Sequence, residues 1–273
     1  MEKIKILVAC HKPEPVHQDD VYTPIHVGRA ISKCKAEMAD MIGDDTGENI
    51  SEKNPMYCEL TAQYWAWKNL KDVEYIGFCH YRRFFDIKTE NIERILQQKD
   101  AIVIKILFDH PMWHEIIQFV SLEDMTILLM ALKKKYPDYE ESLLQYMNGH
   151  TLYAKNMFIC RKELFDQYAA WLFDVLFECE KHIKPSPYTR GRRALAYMGE
   201  YLLPVFMMHH GCSVESVIYT DEKGHAKPQC GKRRRIENAI IRYITQHRRK
   251  NRLEDFYLQE VLVGFKNDGI IIN

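Results

Sequence analysis

The chain of 273 residues is 47% hydrophobic and 12% aromatic, which excludes global disorder and suffices for one large α/β domain. Its 38 basic and 38 acidic residues balance, which argues against a dedicated nucleic-acid-binding protein. No apolar run is long enough to span a bilayer, and none of the eight cysteines lies in a CxxC pair. This pattern is typical of reduced thiols, so we expect a cytoplasmic protein.

The first predicted element is a buried strand over residues 4–9, an uninterrupted apolar run. It runs into the basic residues His11 and Lys12. A strand followed by a basic loop is a common start for a nucleotide-binding α/β domain, although an ordinary exit from a strand has the same residues. We expect a short helix over 25–35 and a second short strand over 38–42.

Residues 43–55 are acidic, interrupted by glycine and nearly free of apolar side chains, which predicts a loop. Asp44 and Asp45 in this loop are candidates for binding a ribose, a sugar hydroxyl or a metal ion. They are equally compatible with turn formation, the commoner role of such aspartates. Ser51 and Asn54 are candidate caps for the next helix.

A second buried strand is predicted over residues 75–79 and runs directly into His80, Tyr81, Arg82 and Arg83. Charged groups at the carboxyl edge of an internal strand are costly to bury without an anionic partner. In open α/β sheets this edge binds ligands, and arginine matches phosphate oxygens bidentately. We therefore expect these four residues to hold the diphosphate of a nucleotide donor. The alternative is an arginine pair in a surface ion-pair network.

Helices and strands alternate through the rest of the chain, which predicts an α/β fold with a mixed, mainly parallel central sheet flanked by helices. Further helices are expected over residues 56–70, 89–99, 122–135, 137–146, 162–183 and 192–209, and further strands over 101–106, 157–160 and 214–219. Between them, His110 and His114 have the spacing of a helical metal pair, but Pro111 disfavours a zinc site.

Three polar residues lie in or beside apolar segments. Asn156 precedes a buried run and needs a hydrogen-bond partner, either a backbone group or a ligand hydroxyl. Glu59 lies beside the apolar face of the 56–70 helix, where it either pairs with Arg82 or Arg83 or is exposed. Glu200 lies in the apolar middle of the 192–209 helix, where a carboxylate is costly unless paired, hydrated or used. Burial would raise its pKa, as suits a general base.

The composition becomes strongly basic after Cys230. Residues 232–252 predict an amphipathic helix suited to an anionic membrane surface, and packing of its apolar stripe on the rest of the protein is the alternative. We therefore divide the chain into one domain over residues 1–225 and a basic extension over 226–273.

Several segments resemble a bacterial family of capsule, exopolysaccharide and lipopolysaccharide glycosyltransferases, long catalogued as a domain of unknown function. The resemblance covers most of residues 3–210. Its segments are residues 9–13 (ACHKP), 44–69 (DDTGENISEKNPMYCELTAQYWAWKN), 75–85 (YIGFCHYRRFF), 156–160 (NMFIC) and 171–178 (WLFDVLFE). Residues 197–202 (YMGEYL) resemble a further family segment, with Tyr201 in place of an expected arginine.

This resemblance implies a single GT-A-like domain that takes a nucleotide-diphosphate sugar, with some relatives using the UDP form of galactofuranose. It implies inverting transfer, with Glu200 as the base that deprotonates the acceptor hydroxyl, and retaining transfer is the alternative. The other candidate residues are expected to contact three different parts of the substrates. They are His80, Tyr81, Arg82 and Arg83 at the donor diphosphate, His11, Lys12, Asp44 and Asp45 at the nucleotide, and Asn54, Glu59 and Asn156 at the sugar or acceptor.

Many GT-A enzymes hold a divalent metal on an Asp-x-Asp motif, whereas the equivalent strand here ends in the HYRR segment. We therefore expect no cofactor and metal-independent transfer, with Asp44 and Asp45 as ligands if a metal is used. The expected partners are a lipid-linked or oligosaccharide acceptor, and an anionic membrane at the inner face of the cytoplasmic membrane. The alternative functions are a non-catalytic nucleotide-sugar-binding subunit of a polysaccharide assembly complex and a nucleotidyltransferase-type enzyme.

Overall fold

The computed structural model describes residues 2–221 and 257–272, together with Ile236, Ile240 and Tyr243. Within these residues, nine strands form one sheet in the order β3-β2-β1-β4-β7-β6-β8, while β5 pairs with β4 and with β9. The strands are β1 (Glu2–Cys10), β2 (Tyr22–His26), β3 (Ile42–Gly43), β4 (Val73–His80), β5 (Arg83–Phe85), β6 (Ala101–Leu107), β7 (Thr151–Arg161), β8 (Val214–Val217) and β9 (Tyr219–Asp221). The expected mixed α/β fold with a central sheet and flanking helices is confirmed.

The described helices follow the expected order along the chain. They are α1 (Asn54–Tyr57), α2 (Leu60–Asn69), α3 (Thr89–Leu96), α4 (Met112–Ile116), α5 (Leu122–Lys135), α6 (Glu140–Met147), α7 (Lys162–Glu180), α8 (Ala194–His209) and α9 (Tyr257–Asn267). None of these described helices is long and apolar enough to cross a membrane. The expectation of a single helix over 56–70 is wrong in one respect. The segment divides into α1 and α2 at Cys58, whose φ is 46°.

Four neighbouring strands, β3, β2, β1 and β4, run parallel, so their carboxyl ends lie along one edge of the sheet. At that edge Gly43 pairs with His26, and His26 pairs with Cys10. β7 runs antiparallel to β4, with Phe78 opposite Phe158. The residues that precede Phe158 in β7 therefore lie beside the carboxyl end of β4.

Gly77 in the middle of β4 allows this sheet to pack closely. A Cβ at Gly77 would lie 2.9 Å from Cγ1 of Ile159 and 3.1 Å from Cγ1 of Ile6 on the two neighbouring strands. All three positions belong to a dry core, since Ile6 and Ile159 are fully buried. The tight packing fixes the position of β4, and with it the position of the residues that follow at its end.

The helix expected over residues 25–35 is wrong. Backbone pairing with β1 and β3 keeps His26 in β2, Gly28 then adopts a left-handed φ of 66°, and a single 3-10 turn covers Arg29–Ile31. The carboxylate of Asp44 accepts hydrogen bonds from the backbone N–H groups of Gly28 and Arg29 at 2.8 and 3.0 Å. Long-range contacts of this kind override a local helical preference.

The described chain forms two compact units, each built from separate segments. The first comprises residues 2–105, 153–173 and 211–221 and contains the parallel strands. The second comprises residues 106–152, 174–210 and 257–272. The expected domain boundary at residue 225 lies outside the described residues and stays a prediction.

The basic segment 232–252 also lies outside the described residues, apart from Ile236, Ile240 and Tyr243. These three are helical, and their side chains are exposed. The seven cysteines in the described part of the chain are free thiols, as expected, and four of them are buried.

Candidate functional site

The HYRR segment forms a tight hairpin at the carboxyl end of β4. His80 pairs directly with Arg83 in the antiparallel β5, so only Tyr81 and Arg82 form the turn. Residues directly opposite in such a pair place their side chains together on one face. The structure therefore brings His80 and Arg83 side by side and leaves Arg82, which is 47% exposed, at the tip.

His80 is held from the neighbouring strand. Its Nε2 lies 2.8 Å from the backbone carbonyl of Lys155 in β7. A carbonyl only accepts, so Nε2 carries a proton. Lys155 and Asn156 both adopt left-handed φ values, 70° and 53°, inside β7. Such strained backbone is uncommon in non-glycine residues and clusters at functional sites.

The guanidinium of Arg82 already holds an anion in this structure. It pairs bidentately with Glu14, through Nε to Oε2 at 3.0 Å and Nη2 to Oε1 at 2.5 Å. The hydrogen bond from Arg82 lowers the pKa of Glu14. In this structure Arg82 therefore forms a surface ion pair, which was the alternative interpretation of the sequence. It also shows that this guanidinium presents its fork to a carboxylate, the same geometry that a phosphate requires.

His11 contacts the hairpin from the end of β1, and Lys12 follows it in the chain. The ring of His11 lies edge-on to that of Tyr81, with centroids 5.3 Å apart, and the Tyr81 N–H donates to the carbonyl of Ala9 at 3.3 Å. His11 and Lys12 are exposed, whereas Tyr81 is buried. Burial raises the pKa of Tyr81, so its hydroxyl stays protonated at neutral pH. A basic surface therefore spans the ends of β1 and β4.

Asp44 is a structural residue. Its side chain is fully buried, and besides Gly28 and Arg29 its carboxylate accepts the hydroxyl of Ser51. Because Asp44 has no exposed surface, its carboxylate is not open to a nucleotide or a metal ion in this structure. The geometry thus argues against the expected nucleotide or metal contact of Asp44, because it secures the loop after β2 instead.

Asp45 lies at the surface of the same edge beside Arg29. Its Oδ1 accepts from Nη1 of Arg29 at 3.2 Å, and both side chains are partly exposed. The guanidinium of Arg29 lies over Gly43, where a Cβ would collide with it. Asp45 therefore stays a candidate for a ribose or sugar hydroxyl, oriented by Arg29.

Arg29 and His26 are polar residues of this edge that the sequence reasoning missed. His26 is fully buried, and neither ring nitrogen has a hydrogen-bond partner. Burial lowers the pKa of His26, so it is neutral at neutral pH. Nε of Arg29 is also buried without a partner. The sequence signal for these two residues was a basic residue directly after an apolar strand. The expectation of a helix over 25–35 hid this signal.

The three residues expected at the sugar or acceptor have different surroundings. Asn54 donates to the carbonyl of Cys58 at 2.8 Å and packs against Gly28, so its described contacts are structural. Glu59 pairs with neither arginine, contrary to one expectation: its Oε1 accepts from Nδ2 of Asn156 at 2.7 Å. Glu59 is half-exposed, and this pair lies in the first unit beside the strained part of β7.

Glu200 lies on α8 in the second unit and is half-exposed, so it is not a fully buried carboxylate. Pro204, one turn later in the same helix, has no N–H to donate to the Glu200 carbonyl. The neighbouring Tyr201 is buried, and burial together with the charges of Glu200 and Glu115 raises the pKa of its hydroxyl. The Tyr201 hydroxyl thus stays protonated at neutral pH.

The described part of the chain contains no group of three or more His, Cys, Asp or Glu side chains that could hold a metal ion. His110, one of the two histidines with metal spacing, instead lies between carboxylates. Its Nδ1 is 2.8 Å from Asp109 and its Nε2 is 3.3 Å from Glu115.

The fold is similar to that of part of a glycosyltransferase structure. Among solved structures, the chain is similar to the WbbM bifunctional glycosyltransferase in its apo form, with 27% identity and a TM-score of 0.72. The similarity covers 80% of this chain and 45% of that protein, so the chain spans less than half the length of this relative. No curated protein matches.

The family is shown by the sequence match itself. Residues 5–211, well over half of the chain, match the family described as a domain of unknown function, DUF4422. The chain belongs to this family. The expected membership of a glycosyltransferase-like family once catalogued without a function is confirmed.

Proposed function

We propose that this protein is a glycosyltransferase that moves a sugar from a UDP-sugar to a hydroxyl of a growing cell-surface glycan. One observation carries the proposal. His11, Lys12 and the His80–Arg83 hairpin converge at the carboxyl ends of two adjacent parallel strands, in a chain with the fold of a glycosyltransferase. The resemblance noted in the sequence supports galactofuranose or another hexose as the sugar, and inversion at the anomeric carbon.

In this proposal the hairpin holds the donor diphosphate. Arg83 and His80 lie side by side, and Arg82 exchanges the carboxylate of Glu14 for a phosphate, which carries more charge and more acceptor oxygens. His11 and Lys12 add donors from the end of β1. Fixed guanidinium groups can stabilise a departing diphosphate without a metal ion, so we propose metal-independent transfer.

The nucleoside then extends toward β2 and β3. Adjacent strands lie about 4.8 Å apart, so β2 and β3, two and three strands from β4, lie about 10 and 14 Å from it. The ribose then lies beside Arg29 and Asp45, which follow these two strands. Asp45 accepts a ribose hydroxyl in this arrangement, and the Glu59–Asn156 pair offers a carboxylate to hydroxyls of the sugar. Asp44 and Asn54 contribute only by holding these loops in place.

The acceptor is activated by Glu200 in this mechanism. The carboxylate takes the proton of the acceptor hydroxyl as its oxygen attacks the anomeric carbon. The bond from that carbon to the UDP oxygen breaks, and the negative charge passes to the diphosphate.

Calorimetric titration with UDP, GDP and CMP, each with and without EDTA, tests the donor assignment. We expect selective binding of UDP that is unchanged by EDTA, because the positive charge comes from the chain. Absence of nucleotide binding would refute the donor site. Binding that needs added manganese or magnesium would refute metal independence alone. UDP binding without turnover on any acceptor would instead favour a non-catalytic subunit.

We also propose that residues 232–252 hold the protein on an anionic membrane near a lipid-linked acceptor. The segment is rich in Lys and Arg, and Ile236, Ile240 and Tyr243 present exposed apolar side chains. Deletion of residues 232–252 should abolish flotation with phosphatidylglycerol liposomes while UDP binding persists. Equal flotation of the deleted and complete chains would rule out this role.

A further inference from the structure

The second unit contains an open groove of about 540 Å³ between α4 and the start of α5. Its walls are formed by His110, Trp113, His114, Ile117, Gln118 and Leu122. The volume is in the range of small-molecule sites. All six residues belong to one unit, so the groove is complete within it.

The walls combine aromatic rings with hydrogen-bonding groups. Trp113 and His114 meet edge to face with centroids 3.9 Å apart, and the rings of His110 and His114 are nearly parallel. Gln118 donates to Glu115 at 3.2 Å, and Glu115 also contacts His110 at 3.3 Å. Ring surfaces with a few oriented polar groups suit a sugar, whose C–H face packs on rings and whose hydroxyls bond to carboxylates and amides.

The charge of the groove favours a neutral ligand. Asp109 and Glu115 both lie against His110, and the guanidinium of Arg190 donates to the carbonyl of Gln118. The groove therefore has no excess of positive charge that would hold a diphosphate, in contrast to the basic hairpin of the first unit. The groove therefore suits the acceptor sugar better than the donor.

Contacts within the second unit connect this groove to α8. Phe119 packs on Tyr197 of α8 with centroids 5.0 Å apart, and Arg190 both covers the Phe119 ring and donates to the carbonyl of Gln118. Tyr197 precedes Glu200 by three residues, about one turn of the same helix. The contact of Phe119 with Tyr197 therefore places the groove beside the part of α8 that carries the carboxylate proposed as the base.

We propose that this groove binds one neutral hexose of the acceptor glycan, so that a hydroxyl of the acceptor is presented to Glu200. The assignment deepens the proposed function and rests on it, because only a transferase needs an acceptor site. The groove residues position the acceptor and take no part in proton transfer.

Saturation-transfer NMR with the methyl glycosides of galactose, glucose, mannose and N-acetylglucosamine tests the groove directly. We expect transfer from the wild-type protein to at least one glycoside. That transfer should fall about five-fold or more in the double variant Ile117→Ala, Gln118→Ala, which removes an apolar contact and an amide. Leu262→Ala on α9 is the matched control, because Leu262 is 37% exposed and Ile117 is 39% exposed.

Two results would overturn the groove assignment: no transfer to any of the four glycosides, or equal transfer in the double variant and the wild-type protein. UDP titration of the same double variant separates this failure from failure of the donor site. We expect its UDP affinity to equal that of the wild-type protein. A wild-type protein that binds a glycoside but no UDP would contradict the proposed function and leave the groove as a glycan-binding site.

Discussion

Replacing Glu200 by glutamine is expected to reduce sugar transfer by a factor of about 10²–10⁴ and to leave UDP affinity unchanged. The amide has nearly the same shape but cannot accept the proton of the acceptor hydroxyl. Because the side chain is half-exposed, the change should not unfold α8. The measurement is the turnover number with a matched donor and acceptor, together with the dissociation constant for UDP from calorimetry.

Two further carboxylates make this test specific. Glu123→Gln on the exposed surface of α5 is the control and should retain full turnover. Glu115→Gln is the competing assignment, because Glu115 also acts on Tyr201. If Glu115→Gln abolishes transfer and Glu200→Gln retains near wild-type turnover, the base is Glu115 and the assignment from the sequence is wrong.

β1 and β4, whose carboxyl ends carry the candidate site, could be predicted because their sequence signal is local. The runs 4–9 and 75–79 are apolar and uninterrupted, and the structure extends both as β1 and β4. The region after β2 could not be predicted in the same way. Its conformation depends on Asp44, which lies 16 residues beyond Gly28 in the chain and yet accepts its N–H. No local pattern reveals such a bond, so a helix was expected where one 3-10 turn exists.

The candidate site was predictable in its residue types and unpredictable in its pairings. The HYRR segment is visible from the charge at the end of a strand, but its hairpin requires the pairing of His80 with Arg83. Glu59 was expected either at Arg82 or Arg83 or exposed to solvent, and its carboxylate meets Asn156 almost a hundred residues later in the chain. The edge of the sheet is therefore known from the sequence, whereas the partner of each polar group comes from tertiary structure.

Arg82→Ala and Arg83→Ala are each expected to weaken UDP binding roughly 10- to 100-fold, because each removes charge-assisted hydrogen bonds to the diphosphate. Arg94→Ala on α3 is the matched control, since Arg94 bonds only to the side chain of nearby Asn91 among its described hydrogen bonds. Calorimetry with UDP and with uridine separates a diphosphate contact from a nucleoside contact. The variants should lose affinity for UDP and keep whatever affinity the protein has for uridine.

Glu14→Gln provides the opposite change at the same guanidinium. The carboxylate of Glu14 occupies Arg82 in the absence of donor, so binding of a diphosphate must displace it. Removing its charge should modestly tighten UDP binding in the wild-type background and should have no effect in the Arg82→Ala background. UDP affinity that is indifferent to all three substitutions would show that the hairpin is only a surface ion-pair network. The donor would then have to bind elsewhere on the edge, where Arg29 and Asp45 offer the other charged pair.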